Sequence, residues 1–319
     1  MKIKKSILKL FSLGCIITFF ILIINYVSKD TYKKSYIENI IDLKKRMKDS
    51  SYFFIGSSRV KRSIDPKEVK KIFKNRGIIN LGINSSVFIS NCLLTESIMK
   101  IHNGVFFIEL SPALFKLSNG IVMLSNEINI DIENSAKQLF QKESSYDGYL
   151  HLLKIYKNKL SSELAYELDY KRKIRSLFFD DTEFRELPGF ISIEVANNIN
   201  SISSFLTYNE LVTLKKTKVN LDNYKIYINH LMDLSVKYKS KIVFFLPLTY
   251  KKKEERDIVI PLYQMLPDSM KIKYSEKFLN EITNSDYLQD IIHLNSNGAK
   301  VYSQWLGKYL NENSNKFNN

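Results

Sequence analysis

The chain has 319 residues, 45% hydrophobic and 13% aromatic, enough for one large domain or a domain with an insertion, and this excludes global disorder. Its net charge of +15 comes from lysines and arginines scattered along the sequence without an RNA- or DNA-binding signature, so nucleic acid is not an expected partner. Cys15 and Cys92 are the only cysteines, one in an N-terminal apolar run and one in a predicted helix, which excludes a disulfide framework.

Lys2, Lys4 and Lys5 precede an apolar run from Ile7 to Val27 that contains a single charge, Lys9. As a helix the run is about 30 Å long, the thickness of a bilayer's hydrocarbon core. Lys9 lies near its start, where the side chain can snorkel to the headgroups. Asn25-Tyr26-Val27-Ser28-Lys29 lacks the small-x-small pattern of a cleaved leader. Residues 1–28 are therefore expected to be an uncleaved membrane anchor, and 29–50 a charged helical stalk. Basic residues also follow the run, so the positive-inside count does not set the orientation.

Tyr52-Phe53-Phe54-Ile55-Gly56 reads as a short buried strand, with Gly56 as a sharp turn before a loop carrying Ser57, Ser58 and Arg59. Asp65-Pro66-Lys67-Glu68 is a helix start, with Asp65 as N-cap and Pro66 in the first position. Ile78–Gly82 is a second strand, residues about 86–101 a helix, and Val105–Leu110 a third strand. This alternation predicts an α/β fold with parallel strands and right-handed crossovers. The pattern stops from about 112 to 220, where a Tyr-rich, charged stretch is expected to be a helical insertion. It resumes with a helix over Leu221–Tyr238 and a fourth strand over Lys241–Pro247. A fifth strand is predicted at Met270–Tyr274. The last helix starts near Ser296 with Asn295 as N-cap, and residues 313–319 are expected to form a flexible tail.

Two stretches carry chemistry. A serine at the carboxyl end of a parallel strand stands where open α/β sheets bind ligands. It becomes a nucleophile when an imidazole takes its proton and a carboxylate orients that imidazole. Asp290 and His293, three residues apart just before the last helix, are the candidate carboxylate and base for Ser58. The other histidines, His102, His151 and His230, are expected to be packed or surface residues. Neither a Gly-x-Gly-x-x-Gly nor a P-loop pattern is present, and no ligand-spaced His/Cys/Asp cluster occurs, so neither a cofactor nor a metal is expected.

Gly56-Ser57-Ser58 after a strand, Gly82 after the next, and Asp290-x-x-His293-Leu-Asn-x-x-Gly298 before the last helix together resemble the SGNH (GDSL-type) hydrolase superfamily. The match spans roughly 53–110 and 241–310. It implies a flavodoxin-like three-layer domain over 51–312 and a Ser58-His293-Asp290 triad, with Ser57 in the Asp position of the family's Gly-Asp-Ser. It also implies an oxyanion hole built from the N–H groups of Ser58 and Gly82. The family's Gly-x-Asn-Asp block reads Glu109-Leu110-Ser111-Pro112 here, so either Ser111 or Asn84 stands in for its asparagine or the third oxyanion donor is missing. With an anchor and Gly-Ser-Ser-Arg, the chain looks most like accessory proteins of cell-envelope acylation, the teichoic acid D-alanine transfer and alginate acetyltransferase types. That resemblance implies an extracytoplasmic O-acyltransferase or esterase using a Ser58 acyl-enzyme. Its partners would be an envelope glycan or teichoic-acid-like polymer and a multispanning membrane O-acyltransferase, and Arg59 would either hold an anionic substrate group or be an exposed or structural arginine. Two alternatives stand beside it: a catalytically weak or inactive scaffold for the acyltransferase, and a cytoplasm-facing lipid esterase.

Overall fold

The structure, a computed structural model, describes residues 11–16, 18–20, 22–23, 45–112, 153, 156–157, 189–192, 205–214, 221–250 and 252–317. Most of the predicted anchor, stalk and insertion lies outside these residues. Among the described residues no helix is long and apolar enough to cross a membrane. Those of the apolar run that are described are helical, and Phe11, Leu13, Ile16, Phe19, Phe20, Leu22 and Ile23 are all exposed.

Four strands, β1 (Ser51–Gly56), β2 (Ile78–Gly82), β3 (Gly104–Glu109) and β4 (Lys241–Phe245), form one all-parallel sheet in the order β2-β1-β3-β4. This α/β arrangement is compatible with a flavodoxin-like layout. The strands are near-continuous apolar runs because both faces are covered. Tyr52 packs on Phe73 and Phe317, and Phe107 on Phe317, on one face. On the other, Phe244 meets Phe88, which also packs on Tyr224. Neighbouring strands stack like on like across the register, Phe53 on Phe106 at 4.8 Å and Phe54 on Phe107 at 4.6 Å between ring centroids. Each such buried ring contributes about 1.5–3 kcal/mol, with roughly 0.5–1.5 kcal/mol more from the aromatic pairing.

The helices follow from caps and apolar faces. In chain order α1 is Ser58–Ser63, α2 Pro66–Ile72, α3 Phe88–Met99, α4 Tyr208–Val212, α5 Asp222–Lys237, α6 Lys253–Met265, α7 Glu276–Ile282, α8 Ser296–Glu312 and α9 Ser314–Phe317. Asp65 caps α2 through the Lys67 N–H, and Asn295 caps α8 through the Gly298 N–H. Every residue of α3 is buried, polar ones included. Its Glu96 is held by His230 at 2.8 Å and Lys100 at 2.7 Å, so His230 is a packed residue of α5.

Three expectations differ from the structure. Met270–Tyr274 is not a fifth strand: Lys271 makes one isolated parallel bridge to Phe244, after a short 3-10 turn at Asp268–Met270. The end of the chain is not free from residue 313, because α9 buries Phe317 against Tyr52, Phe107 and Tyr309. Apolar contact there outweighs the polar composition around it. Gly56 and Gly82 serve close approach rather than a special φ. A Cβ on Gly56 would lie 2.3 Å from Val60 and 2.4 Å from the Glu109 carboxylate, and one on Gly82 would lie 2.3 Å from the Lys61 nitrogen. The two glycines are register partners, and together they let α1 cross tightly over the carboxyl edge of the sheet.

Candidate active site

The strand order reverses between β1 and β3, and it is outside the carboxyl ends at such a reversal that open α/β sheets bind ligands. Ser58 does not sit in a loop: it is the first residue of α1, directly after β1, with Ser57 as N-cap accepting from the Arg59 N–H. Sequence reading missed this helix because it is only 6 residues long.

His293 arrives from the turn before α8. Asp290 Oδ1 accepts the N–H groups of Ile292 and His293, both at 2.9 Å, which folds the four residues into a tight turn. The Gln289 N–H donates to the His293 carbonyl at 2.8 Å and closes the other side. Asn295 Nδ2 holds the carbonyls of Asp286 and Leu288, fixing the turn to its own cap. The imidazole then meets Asp290 at 2.7 and 2.9 Å through Nδ1 and Ser58 Oγ at 2.7 Å through Nε2. A carboxylate can only accept, so Nδ1 carries the proton and Nε2 is the acceptor for the Ser58 hydroxyl. Residues 235 apart in sequence thus form a continuous Ser–His–Asp hydrogen-bonded chain. Burial pushes the Asp290 carboxyl up, but the hydrogen bonds from the His293 ring and the Ile292 and His293 amides outweigh it and hold the group below its ordinary value. Arg62, one turn after Ser58 on α1, hydrogen-bonds Gln289 and lies 3.8 Å from Asp290 Oδ2.

The remaining expected site residues fare differently. Gly82 lies at the carboxyl edge, but its N–H donates to Asn80 Oδ1 at 2.8 Å and is not directed to an oxyanion. Asn80 in turn donates to the Val60 and Ile64 carbonyls, so its side chain fastens α1 to β2. Asn84 and Ser111 follow β2 and β3, the two strands that flank β1. Asn84 is half-buried, and among the described residues the buried Ser111 hydroxyl makes no hydrogen bond. The Ser58 N–H, at the first position of α1, has no intrahelical acceptor.

Of the two expectations for Arg59, its surroundings fit the structural one. It does not reach out for an anionic group. Its guanidinium is 2.8 Å from Glu109, pairs with Glu255, donates to the Thr249 carbonyl at 3.0 Å and lies over the Tyr250 ring. Burial works against the charge of Arg59, but Glu109 and Glu255 together hold its pKa above the ordinary value. Glu109 is the residue sequence reading missed. It stands at the end of β3, fully buried. Its carboxylate accepts the Ser57 N–H at 2.7 Å and the Ser57 hydroxyl at 2.9–3.0 Å while pairing with Arg59. The signal was available: a carboxylate closing the apolar run Val105–Ile108 is rarely fully buried unless paired. Glu109 therefore welds the turn that presents Ser58. No protein-family model, curated protein or solved structure matches this chain.

Proposed function

We propose that the chain is a membrane-anchored, SGNH-type serine enzyme that transfers or hydrolyses O-acyl groups on a cell-envelope glycan or polymer. The observation that carries the reading is the Ser58–His293–Asp290 chain with its 2.7 Å contact between Nε2 and Oγ. In this reading Ser58 Oγ attacks the acyl carbonyl while His293 Nε2 takes its proton, and Asp290 stabilises the imidazolium. The tetrahedral oxyanion faces the Ser58 N–H, with the Ser111 hydroxyl, which follows β3 and makes no hydrogen bond among the described residues, as the candidate second donor. Collapse breaks the bond to the leaving alcohol, which receives the proton from His293. A glycan hydroxyl or water then attacks the Ser58 ester with His293 again as base. One intermediate serves transfer and hydrolysis. The exposed apolar side chains between Phe11 and Ile23 support membrane attachment, with the catalytic domain on the extracytoplasmic side beside a multispanning O-acyltransferase.

A second reading, a catalytically weak scaffold for that acyltransferase, is favoured by the Gly82 amide being committed to Asn80 and by the carboxylate Glu109 at the third block. A serine-directed fluorophosphonate separates the two. The enzyme reading expects labelling of wild-type protein that Ser58→Ala abolishes and His293→Ala suppresses nearly as far. Absence of wild-type labelling, with Ser58→Ala restoring envelope acylation in a deletion strain, gives the scaffold reading.

A further inference from the structure

The amino end of the sheet, opposite Ser58, carries a cavity of about 630 Å³. One wall is the turn entering β1 and the other is the end of α2 with the residues entering β2. Among the described residues Lys45, Arg46, Lys48, Lys70, Lys74 and Arg76 line it, against the single carboxylate of Asp49. Asp49 is already engaged, accepting the Asn103 N–H at 3.2 Å and lying 3.4 Å from His102 Nδ1. The frame is held by the backbone. Ser50 takes a left-handed φ of 62° and donates to the Asn103 carbonyl at 2.9 Å. Arg76 Nη1 donates to the Ser50 carbonyl at 3.2 Å, and Met47 is buried in the core. Cations scattered through the sequence are therefore gathered by a fixed scaffold into one concavity, whose one carboxylate among the described residues, Asp49, also accepts from Asn103.

Such a site focuses positive potential, and its lysine and arginine donors match the oxygens of phosphate esters. It opens where the chain arrives from the N-terminal apolar run, at Lys45, the first described residue after that run. We propose that this cradle binds the phosphate headgroups of anionic lipids in the membrane that holds residues 7–27. The amino edge of the sheet then faces the bilayer and the Ser58 site faces away from it, about 20 Å further out at the strand's rise per residue. The inference rests on the anchored reading above.

The test uses the full chain in vesicles of phosphatidylcholine alone or mixed with phosphatidylglycerol. Carbonate-washed vesicles are floated first, then lysine acetylation rates are read by mass spectrometry. Lys48, Lys70 and Lys74 are expected to react about threefold or more slowly in the anionic vesicles, with the difference lost in high salt. Lys253 and Lys277, exposed on α6 and α7, serve as references and should not change. In a Lys48→Glu/Lys70→Glu/Lys74→Glu variant, Lys45 should react equally in both lipids. Protein that washes off the vesicles overturns the anchor and this proposal together. Protein that floats but acetylates equally in both, or is protected uniformly at all lysines, overturns the proposal alone. Equal protection by inorganic phosphate added to phosphatidylcholine vesicles makes the cradle a free-phosphate site and overturns the membrane source.

Discussion

Replacing Glu109 with glutamine tests whether the turn presenting Ser58 is held by a buried carboxylate. Glu109 is fully buried and accepts two hydrogen bonds from Ser57 while pairing with Arg59 at 2.8 Å. Glutamine keeps the shape, removes the charge and turns one oxygen into a donor that faces the donors of Ser57 or Arg59. Breaking a buried pair by removing one partner costs about 3–5 kcal/mol. Arg59 retains Glu255, so the lower end applies, about 3 kcal/mol. For a domain of this size that is a fall in Tm of roughly 6–12 °C. The loosened turn should also slow fluorophosphonate labelling of Ser58 by about tenfold or more, since nucleophile placement is steeply geometric. Differential scanning fluorimetry and labelling kinetics read the two effects. In Arg59→Gln/Glu109→Gln the losses should be less than additive, because the two residues share one interaction. A Tm within about 2 °C of wild type, with unchanged labelling, would refute the reasoning, since a fully paired buried carboxylate cannot be neutralised at so small a cost.

Gly82→Ala places a Cβ 2.3 Å from the Lys61 backbone nitrogen, so α1 must lift, and a loss of about 3 kcal/mol in urea denaturation is expected. A near-neutral result would show that α1 crosses more loosely than the structure has it. His293→Ala/Asp290→Asn should label little more slowly than His293→Ala alone, since triad members act as a unit. Additive losses in a labelling time course would separate Asp290 from the imidazole. The folded pKa values of Asp290 and Glu96 lie below their ordinary 3.8 and 4.5. The unfolded chain therefore binds protons first, so this stabilisation is in place above those ordinary values and is lost as pH falls through the lower folded ones. Urea midpoints should drop on acidification below about pH 4.5, and Glu96→Gln should flatten part of that slope. Midpoints that rise on acidification would contradict the sign.

The strands β1 to β4, the caps at Asp65 and Asn295 and the candidate triad residues were legible in the sequence. Each depends on local signals: apolar runs ending in a breaker, Asx side chains ahead of helices, and an Asp-x-x-His turn whose hydrogen bonds close within four residues. Tertiary structure decided what depends on distant partners. The apolar run Val105–Ile108 announced a strand, but only the neighbouring Ser57 and Arg59 explain why Glu109 is buried at its end. Arg59 looked available for a substrate anion until Glu109, Glu255 and the Thr249 carbonyl surrounded it. Gly82 looked like an oxyanion donor until the Asn80 side chain, turned toward α1 by the Val60 and Ile64 carbonyls, took its N–H. The basic residues between Lys45 and Arg76 looked scattered because sequence separation says nothing about a concavity made by two strand entries side by side. Periodicity and caps are written within a few residues. Charge pairing, close approach at glycines and the meeting of Ser58 with His293 arise only when the sheet brings remote segments to one edge.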